Sequence, residues 1–282
     1  MTENSSSCII LIPAYRPSAG LLSLVSALQR KESNEIVVVD DGSGPEYQDV
    51  FDELRQAQGV CVLSHAINLG KGAALKTGMN YVMAKYPAAK GVVTADADGQ
   101  HHPDDITGVM RAFLASPDSL ILGARAFDGQ VPARSRIGNS LTRLAMRLIL
   151  GQTLQDTQTG LRAIPVSLMP ALVAIRAPRY EFELEMLIAA KHRNTPVLEE
   201  PIRTIYESGN KSSHFNPLLD SMRIYFVLLR FSMISLLTAA IDNAFFVIIL
   251  AFSGKLLISQ LCGRAIAVAF NYTVVRKTVF QS

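Results

Sequence analysis

Apolar residues in this chain come in short blocks closed by polar turns, then in two long blocks near the C-terminus. Cys8-Ile-Ile-Leu-Ile-Pro13 is the first short block, and Glu35-Ile-Val-Val-Val-Asp40, closed by Asp-Asp-Gly-Ser-Gly, is the second. Val60–Ser64, Gly91–Ala95 and Leu120–Gly123 complete five strand-like runs bounded by turn formers. Between them, Ala19–Lys31, Tyr47–Gln58, Gly72–Tyr86 and Pro103–Ala115 read as helices. The alternation predicts βαβ units: an α/β fold with a mainly parallel sheet and helices on both faces. Ligands of such sheets bind beyond the C-terminal strand ends. Here those ends carry Pro13-Ala-Tyr15, Asp40-Asp-Gly42, Asn68-Leu-Gly70 and Asp96-Ala-Asp98.

The two long blocks obey a different rule. Phe231–Phe252 is 22 residues with Asp242 as its one charge, and Leu256–Val275 is 20 residues interrupted by Arg264. About 20 helical residues, rising 1.5 Å each, cross a hydrocarbon core of roughly 30 Å. The short link Ser253-Gly-Lys255 therefore predicts a two-helix transmembrane hairpin; the plainer alternative is a pair of helices buried in a soluble core. Arg223 and Arg230 flank the entry, and Arg276 and Lys277 the exit, which places both ends on the cytoplasmic side. Asp242 and Arg264 must pair with each other or face another helix. The start, MTENSSSC, has no basic n-region, so no signal peptide is expected. The expectation is a cytosolic domain over 1–220 and a membrane segment over 221–282. Together they make a multi-pass cell-membrane protein whose N-terminal domain lies on the cytoplasmic face.

Composition sharpens this division. The 282 residues hold 27 basic and 24 acidic groups, are 49% hydrophobic and only 18% charged, with mean hydropathy +0.24. Soluble domains sit nearer 25% charge, so part of the chain should meet lipid. Residues 221–282 carry six basic groups against Asp242 alone, a net +5, while residues 1–220 hold 21 basic and 23 acidic groups. A slightly acidic N-terminal domain argues against nucleic-acid binding. Three cysteines, Cys8, Cys61 and Cys262, offer no disulfide framework and suit a reducing compartment.

Candidate chemistry centres on Asp96-Ala-Asp98-Gly-Gln100. Residues two apart on an extended segment point the same way, and an oxygen-only set of Asp96, Asp98 and Gln100 suits Mg²⁺ or Mn²⁺. An acidic surface turn is the alternative, weakened by the strand-like GVVTA before it and by Asp40-Asp41 after another strand. His101-His-Pro-Asp-Asp105 matches no zinc spacing and reads as a helix entry. Asn68–Ala74 lacks GxxxxGK[ST], which argues against a P-loop and leaves Lys71 as a candidate phosphate contact. Ala133–Leu150 carries Arg134, Arg136, Arg143 and Arg147 with Ile137, Leu141, Leu144 and Leu148 at helical spacing. That pattern reads as an amphipathic interface helix, or else as the Arg-rich face of an ordinary helix. A second such helix, Asn216–Leu229, should lead into the first span.

Six motifs in order, IPAY (12–15), VVDDGS (38–43), NLGKGAAL (68–75), DADGQH (96–101), GAR (123–125) and DTQTGLR (156–162), resemble those of family 2 glycosyltransferases. The polyprenyl-phosphate sugar transferases, similar to dolichyl-phosphate mannose synthase, are the nearest group. The tail resembles part of a GtrA-like membrane module, about half of its usual four spans. The resemblance implies a GT-A, Rossmann-like fold and inverting transfer of a sugar from a UDP- or GDP-linked donor to polyprenyl phosphate, for cell-envelope glycan or glycolipid assembly. It implies donor binding by Pro13, Tyr15, Val39, Asp41, Asp96 and Ala97, metal binding by Asp98, Gln100 and Asp96, and catalytic roles for Asp98, Asp156 and Arg125. The four arginines of 133–150 would face the acceptor and the bilayer. Two departures leave the donor unspecified. The family's PxYNE is Pro13-Ala-Tyr-Arg-Pro17 here, and its late R-x-x-G-x-S-K segment is replaced by Tyr206–Phe215, where Glu207, Lys211 and His214 are either a donor-closing segment or a plain loop.

Rival readings are a processive polysaccharide synthase, disfavoured because Trp is absent and so is QxxRW, and a transport or scaffold subunit with an inactive transferase-like domain. A nicotinamide dehydrogenase lacks its glycine fingerprint. The sugar, the base, the prenyl length and the oligomeric state stay open, and a homo-oligomer is compatible with everything above.

Overall fold

A computed structural model describes residues 8–31, 35–99, 101–125, 154–157, 159–179, 181–203 and 219–278, the last with backbone alone over 219–232 and 275–278. The chain divides into two compact units, Met1–Asn216 and Pro217–Ser282.

Strands form where apolar β-branched runs predict them. They are β1 (Cys8–Ala14), β2 (Ile36–Asp40), β3 (Val60–Ser64), β4 (Gly91–Thr94) and β5 (Leu120–Arg125), joined by β6 (Arg162–Pro165) and β7 (Val197–Ile202). Among the described residues the α-helices of this unit are α1 (Gly20–Lys31), α2 (Gln48–Gln56), α3 (Lys71–Lys85), α4 (Pro103–Ala115), α5 (Met169–Val173) and α6 (Glu181–His192). The seven strands lie in the order β3-β2-β1-β4-β6-β5-β7, all parallel except β6, which runs antiparallel to both neighbours.

Alternation along the strands fixes two apolar faces. Ile10, Ile12, Ile36, Val38 and Val93 share one core with Leu24 and Leu28 of α1, Phe51 of α2 and Phe113 of α4. Leu11 faces the other way, against α3, where Gly78 packs so closely that a Cβ would stand 2.1 Å from Leu11 Cδ1. The order reverses between β1 and β4, and a crevice opens beyond the strand ends at such a switch point. β6, entering at Arg162, begins at this same rim.

Four elements of this unit lie outside the sequence expectation: β6, α5, α6 and β7. β6 is four residues long, β7 contains Glu199, Glu200 and Pro201, and α6 places Glu183 and Glu185 among its buried positions. Buried acids and a strand proline break the pattern by which such elements are read.

In the second unit, α7 (Leu219–Ser253) is one continuous helix of 35 residues, and α8 (Leu256–Thr278) has 23. The helix expected over Asn216–Leu229 runs from Leu219 into the first span without interruption, in keeping with the lack of Gly or Pro between Pro217 and Gly254. Gly254, at φ +63°, ends α7 by donating to Leu250 O at 2.9 Å. The helices approach closely at Gly263, whose added Cβ would lie 3.1 Å from Asp242 O, and Arg264 Nε is 4.0 Å from Asp242 Oδ2. Among the described residues one segment, Met233–Ser253, is long and apolar enough to cross a membrane. A helix does form over the second expected span, but it does not meet that measure.

Candidate active site

The rim at the ends of β1 and β2 is built from backbone and short side chains. Pro13 and Val39 lie side by side in register, both buried in the sheet. Beyond them Asp41 N donates to Ala14 O at 2.8 Å, Ser43 N to Asp40 Oδ1 at 2.9 Å, and Arg16 N to Ser43 Oγ at 2.9 Å. Tyr15 is half-buried, with the Arg16 guanidinium 5.2 Å from its ring centre.

Asp41 is buried and its carboxylate organises the turn after β3. Oδ1 accepts from Leu69 N at 2.9 Å and meets His65 Nδ1 at 2.7 Å, while Oδ2 accepts from Gly70 N at 2.7 Å. His65 Nε2 lies 2.9 Å from Thr77 Oγ1, which completes an Asp41–His65–Thr77 chain from β2 to α3. An ionised carboxylate has about four acceptor sites, so three contacts leave room for one more. Gly42, at φ +71°, makes the turn possible, because a Cβ there would strike the backbone of Ile67 at 2.3 Å.

Asp96 follows β4 and meets residues of two other motifs, 68–75 and 156–162. Its Oδ1 meets Lys71 Nζ at 2.6 Å, its Oδ2 faces His101 Nε2 at 3.4 Å, and Gly160 lies against the carboxylate. Lys71 Nζ also donates to Glu183 Oε1 at 2.6 Å. Burial raises the Asp96 carboxyl, but Lys71 and His101 outweigh it and hold the group well below the ordinary carboxylate range. Burial likewise works against the Lys71 ammonium, and Asp96 and Glu183 reverse that, holding it above its usual value. His101 Nε2 is buried and, among the described residues, forms no aligned hydrogen bond.

Ala97 packs partly buried against the core, Asp98 is half-buried, and Gln100 lies outside the described residues. Among the described residues no group of three or more His, Cys, Asp or Glu side chains converges as a ligand set. A divalent ion that binds one or two carboxylates and completes its shell with substrate phosphate and water needs no such group. The donor set, all oxygen and with Asp96 ionised, fits Mg²⁺ or Mn²⁺ on that basis.

The third part of the rim joins β5 to β6. Arg125 Nε donates to Asp156 Oδ2 at 2.6 Å, and Asp156 is buried. Glu199 Oε1 of β7 accepts from Gln155 N at 2.7 Å and from Asp156 N at 3.2 Å. The wholly buried Arg162 shapes this turn by donating to Thr159 O at 2.8 Å, Thr157 O at 3.0 Å and Glu183 O at 2.6 Å. The rim thus brings Asp96, Asp98, Arg125 and Asp156 to one sheet edge. Arg134, Arg136, Arg143, Arg147, Glu207, Lys211 and His214 lie outside the described residues.

His65, Glu183, Arg162 and the pairing of Lys71 went unread in the sequence. Only Lys71 and Arg162 carried a signal, since each falls within a motif quoted above.

Residues 9–169 match the model of glycosyl transferase family 2. An uncharacterized protein of Methanocaldococcus jannaschii is 32% identical over 80% of this chain and 92% of its own length. The UDP-N-acetylglucosamine–dolichyl-phosphate N-acetylglucosaminyltransferase of Methanococcus voltae is 31% identical over 79% of this chain and 95% of its own. The polyprenol monophosphomannose synthase of Mycolicibacterium smegmatis is 27% identical over 69% and 76%. Among solved structures, glucosyl-3-phosphoglycerate synthase of Mycobacterium tuberculosis, in complex with Mn²⁺, uridine diphosphate and phosphoglyceric acid, superposes with a TM-score of 0.58. It is 18% identical, covers 79% of this chain and 77% of its own, and shares the GT-A-like fold. With more than half of the chain matched and two relatives above 30% identity, the chain belongs to glycosyl transferase family 2.

Proposed function

We propose that this glycosyltransferase moves a sugar from a nucleoside-diphosphate donor to a polyprenyl phosphate at the cytoplasmic face of a membrane. The observation that carries the reading is the placement of Asp96 and Asp98 after β4 and of the Arg125–Asp156 pair at β5 and β6, at one rim of neighbouring strands. The relatives named for dolichyl phosphate and polyprenol support the acceptor class. The Mn²⁺ and uridine diphosphate bound by the structural neighbour are consistent with a nucleotide donor and a divalent ion.

A phosphate monoester has a second pKa of about 6 and is largely a dianion at pH 7, so the nucleophile needs no strong base. Asp156, ion-paired with Arg125 at 2.6 Å, is suited to orient that guanidinium toward an anionic phosphate. An acceptor oxygen attacks the anomeric carbon, the bond from that carbon to the diphosphate oxygen breaks, and configuration inverts. Asp98 and Gln100, with Asp96, would hold Mg²⁺ or Mn²⁺, which when bound offsets charge on the diphosphate. Pro13, Tyr15, Val39, Asp41 and Ala97 would form the nucleoside side of the crevice. Met233–Ser253 crosses the bilayer and α8 returns, so that Asp242 and Arg264 neutralise each other within the hydrocarbon.

The test uses the full chain in detergent with undecaprenyl phosphate, UDP-N-acetylglucosamine or GDP-mannose, and Mg²⁺ or Mn²⁺, the lipid product being weighed by mass spectrometry. A sugar-phosphate lipid is expected. Donor hydrolysis with no lipid product from any combination sinks the acceptor assignment, and no turnover of any donor favours an inactive scaffold.

A further inference from the structure

Three segments far apart in the chain meet on one carboxylate. Asp96 follows β4, Lys71 starts α3, and Gly160 precedes β6. Lys71 Nζ stands 2.6 Å from Asp96 Oδ1, and Gly160 presents only backbone to the other side, where a Cβ would lie 2.4 Å from Oδ2. The same ammonium is held by Glu183 Oε1 of α6 at 2.6 Å. Glu183 is buried, and its backbone carbonyl accepts from Arg162 Nη1 at 2.6 Å.

We propose that Glu183 and Lys71 form a positioning clamp for Asp96, in which Lys71 fixes the carboxylate and Glu183 fixes Lys71. The inference rests on reading this rim as the donor site. Gly160 has no side chain to hold Asp96, and His101 Nε2 stands 3.4 Å from Oδ2, so the short charge-assisted contact, to Oδ1, comes from Lys71. A lysine carries its charge on a flexible four-carbon stem, and one carboxylate partner leaves that stem free to swing. A second, buried carboxylate removes that freedom. The clamp also sets charge. Without Lys71, Asp96 and Glu183 would face an incoming diphosphate with the cation they share removed. Lys71, a candidate phosphate contact by sequence, has its ammonium engaged by Asp96 and Glu183, so in this proposal it acts through Asp96, and Glu183 acts through Lys71. Their effect should fall on the donor and leave the acceptor untouched.

The test titrates UDP, and in parallel GDP, with Mn²⁺ into the full chain in detergent by calorimetry. Lys71→Met is expected to weaken nucleotide binding about tenfold or more and Glu183→Gln by about threefold, since removing one partner of a buried pair exposes the other. The double variant should bind no more weakly than K71M alone, because the two residues act in series. Lys71→Arg, whose guanidinium spans two carboxylates, should stay within about threefold of wild type. In transfer assays the donor KM should rise while the acceptor KM holds. A purely structural role would instead lower Tm and the active fraction, leaving the Kd of folded protein unchanged. Should K71M fail to fold, E183Q and K71R carry the comparison through the donor and acceptor KM. Variants that bind as wild type does, or effects that simply add, overturn the clamp alone. Wild-type protein that binds neither nucleotide overturns the donor site and the clamp together.

Discussion

Gly160→Ala is the most informative single substitution. An added Cβ would stand 2.4 Å from Asp96 Oδ2, 2.6 Å from Oδ1 and 2.7 Å from Cγ. A comfortable carbon–oxygen approach is about 3.3 Å, so something must move by roughly 0.9 Å. Asp96 has a short side chain held by Lys71 at 2.6 Å, and the Gly160 carbonyl is held by Thr94 Oγ1 at 2.7 Å. Neither side yields freely, and the carboxylate is the softer of the two. A displacement of about 1 Å in a positioned group costs on the order of 10²-fold in rate, or about 2.7 kcal/mol. Overpacking should add a stability loss of about 1–3 kcal/mol, with Tm lower by roughly 2–4 °C for each kcal/mol in a unit of this size. The assay is lipid-product formation at saturating donor and acceptor, with Tm measured on the same preparation. Gly108→Ala serves as the control, since nothing lies within 4 Å of its added Cβ. G160A retaining a third or more of the wild-type rate would refute the placement of Asp96 at the reacting centre.

Asp98→Ala should abolish Mn²⁺-dependent transfer, read as loss of lipid product across a Mn²⁺ titration; near-normal turnover removes Asp98 from the metal site. Asp156→Asn should slow transfer by about 10²–10³-fold through loss of a preorganised charge, while UDP affinity measured by calorimetry is spared. Equal losses in both would place Asp156 on the donor side instead. Burial pushes the Cys8 thiol up to about 12 from 9.0. Its raised value stabilises the fold fully below about pH 9, and that contribution disappears as pH rises toward about 12. Urea titrations across this range should show alkaline destabilisation, and Cys8→Ala should flatten that part of the profile.

The five leading strands were legible because each pairs a β-branched run with a polar turn, and a parallel sheet places those turns at one rim. Asp96 and Asp98 were legible for the same reason, whereas Arg125 and Asp156 came from the motif resemblance alone, Asp156 preceding a strand that the pattern did not predict. Pairing was not. Nothing in NLGKGAAL says that Lys71 turns away from solvent toward Asp96 and Glu183, because its second partner lies 112 residues later in the chain. Glu183 was hidden by being an acid at a buried helix position, and Arg162 by being a charge satisfied largely by backbone carbonyls. His65 gave no signal, since a lone histidine after a strand carries no spacing to read. In each case the chemistry lies in a contact between distant segments, and periodicity reports only on near ones.

The reversed strand β6 has a consequence for how this enzyme can vary. Since β6 enters where its neighbours exit, the end of β5 and the start of β6 lie at the same rim, and Arg125 and Asp156 tie those two chain positions together with an ion pair at 2.6 Å. Both flanks of 126–153 are thereby tied to the sheet and to each other. Under the proposed function, changes within that stretch should alter acceptor use while the strands of the donor half keep their register, as a tool head is exchanged on an unchanged handle.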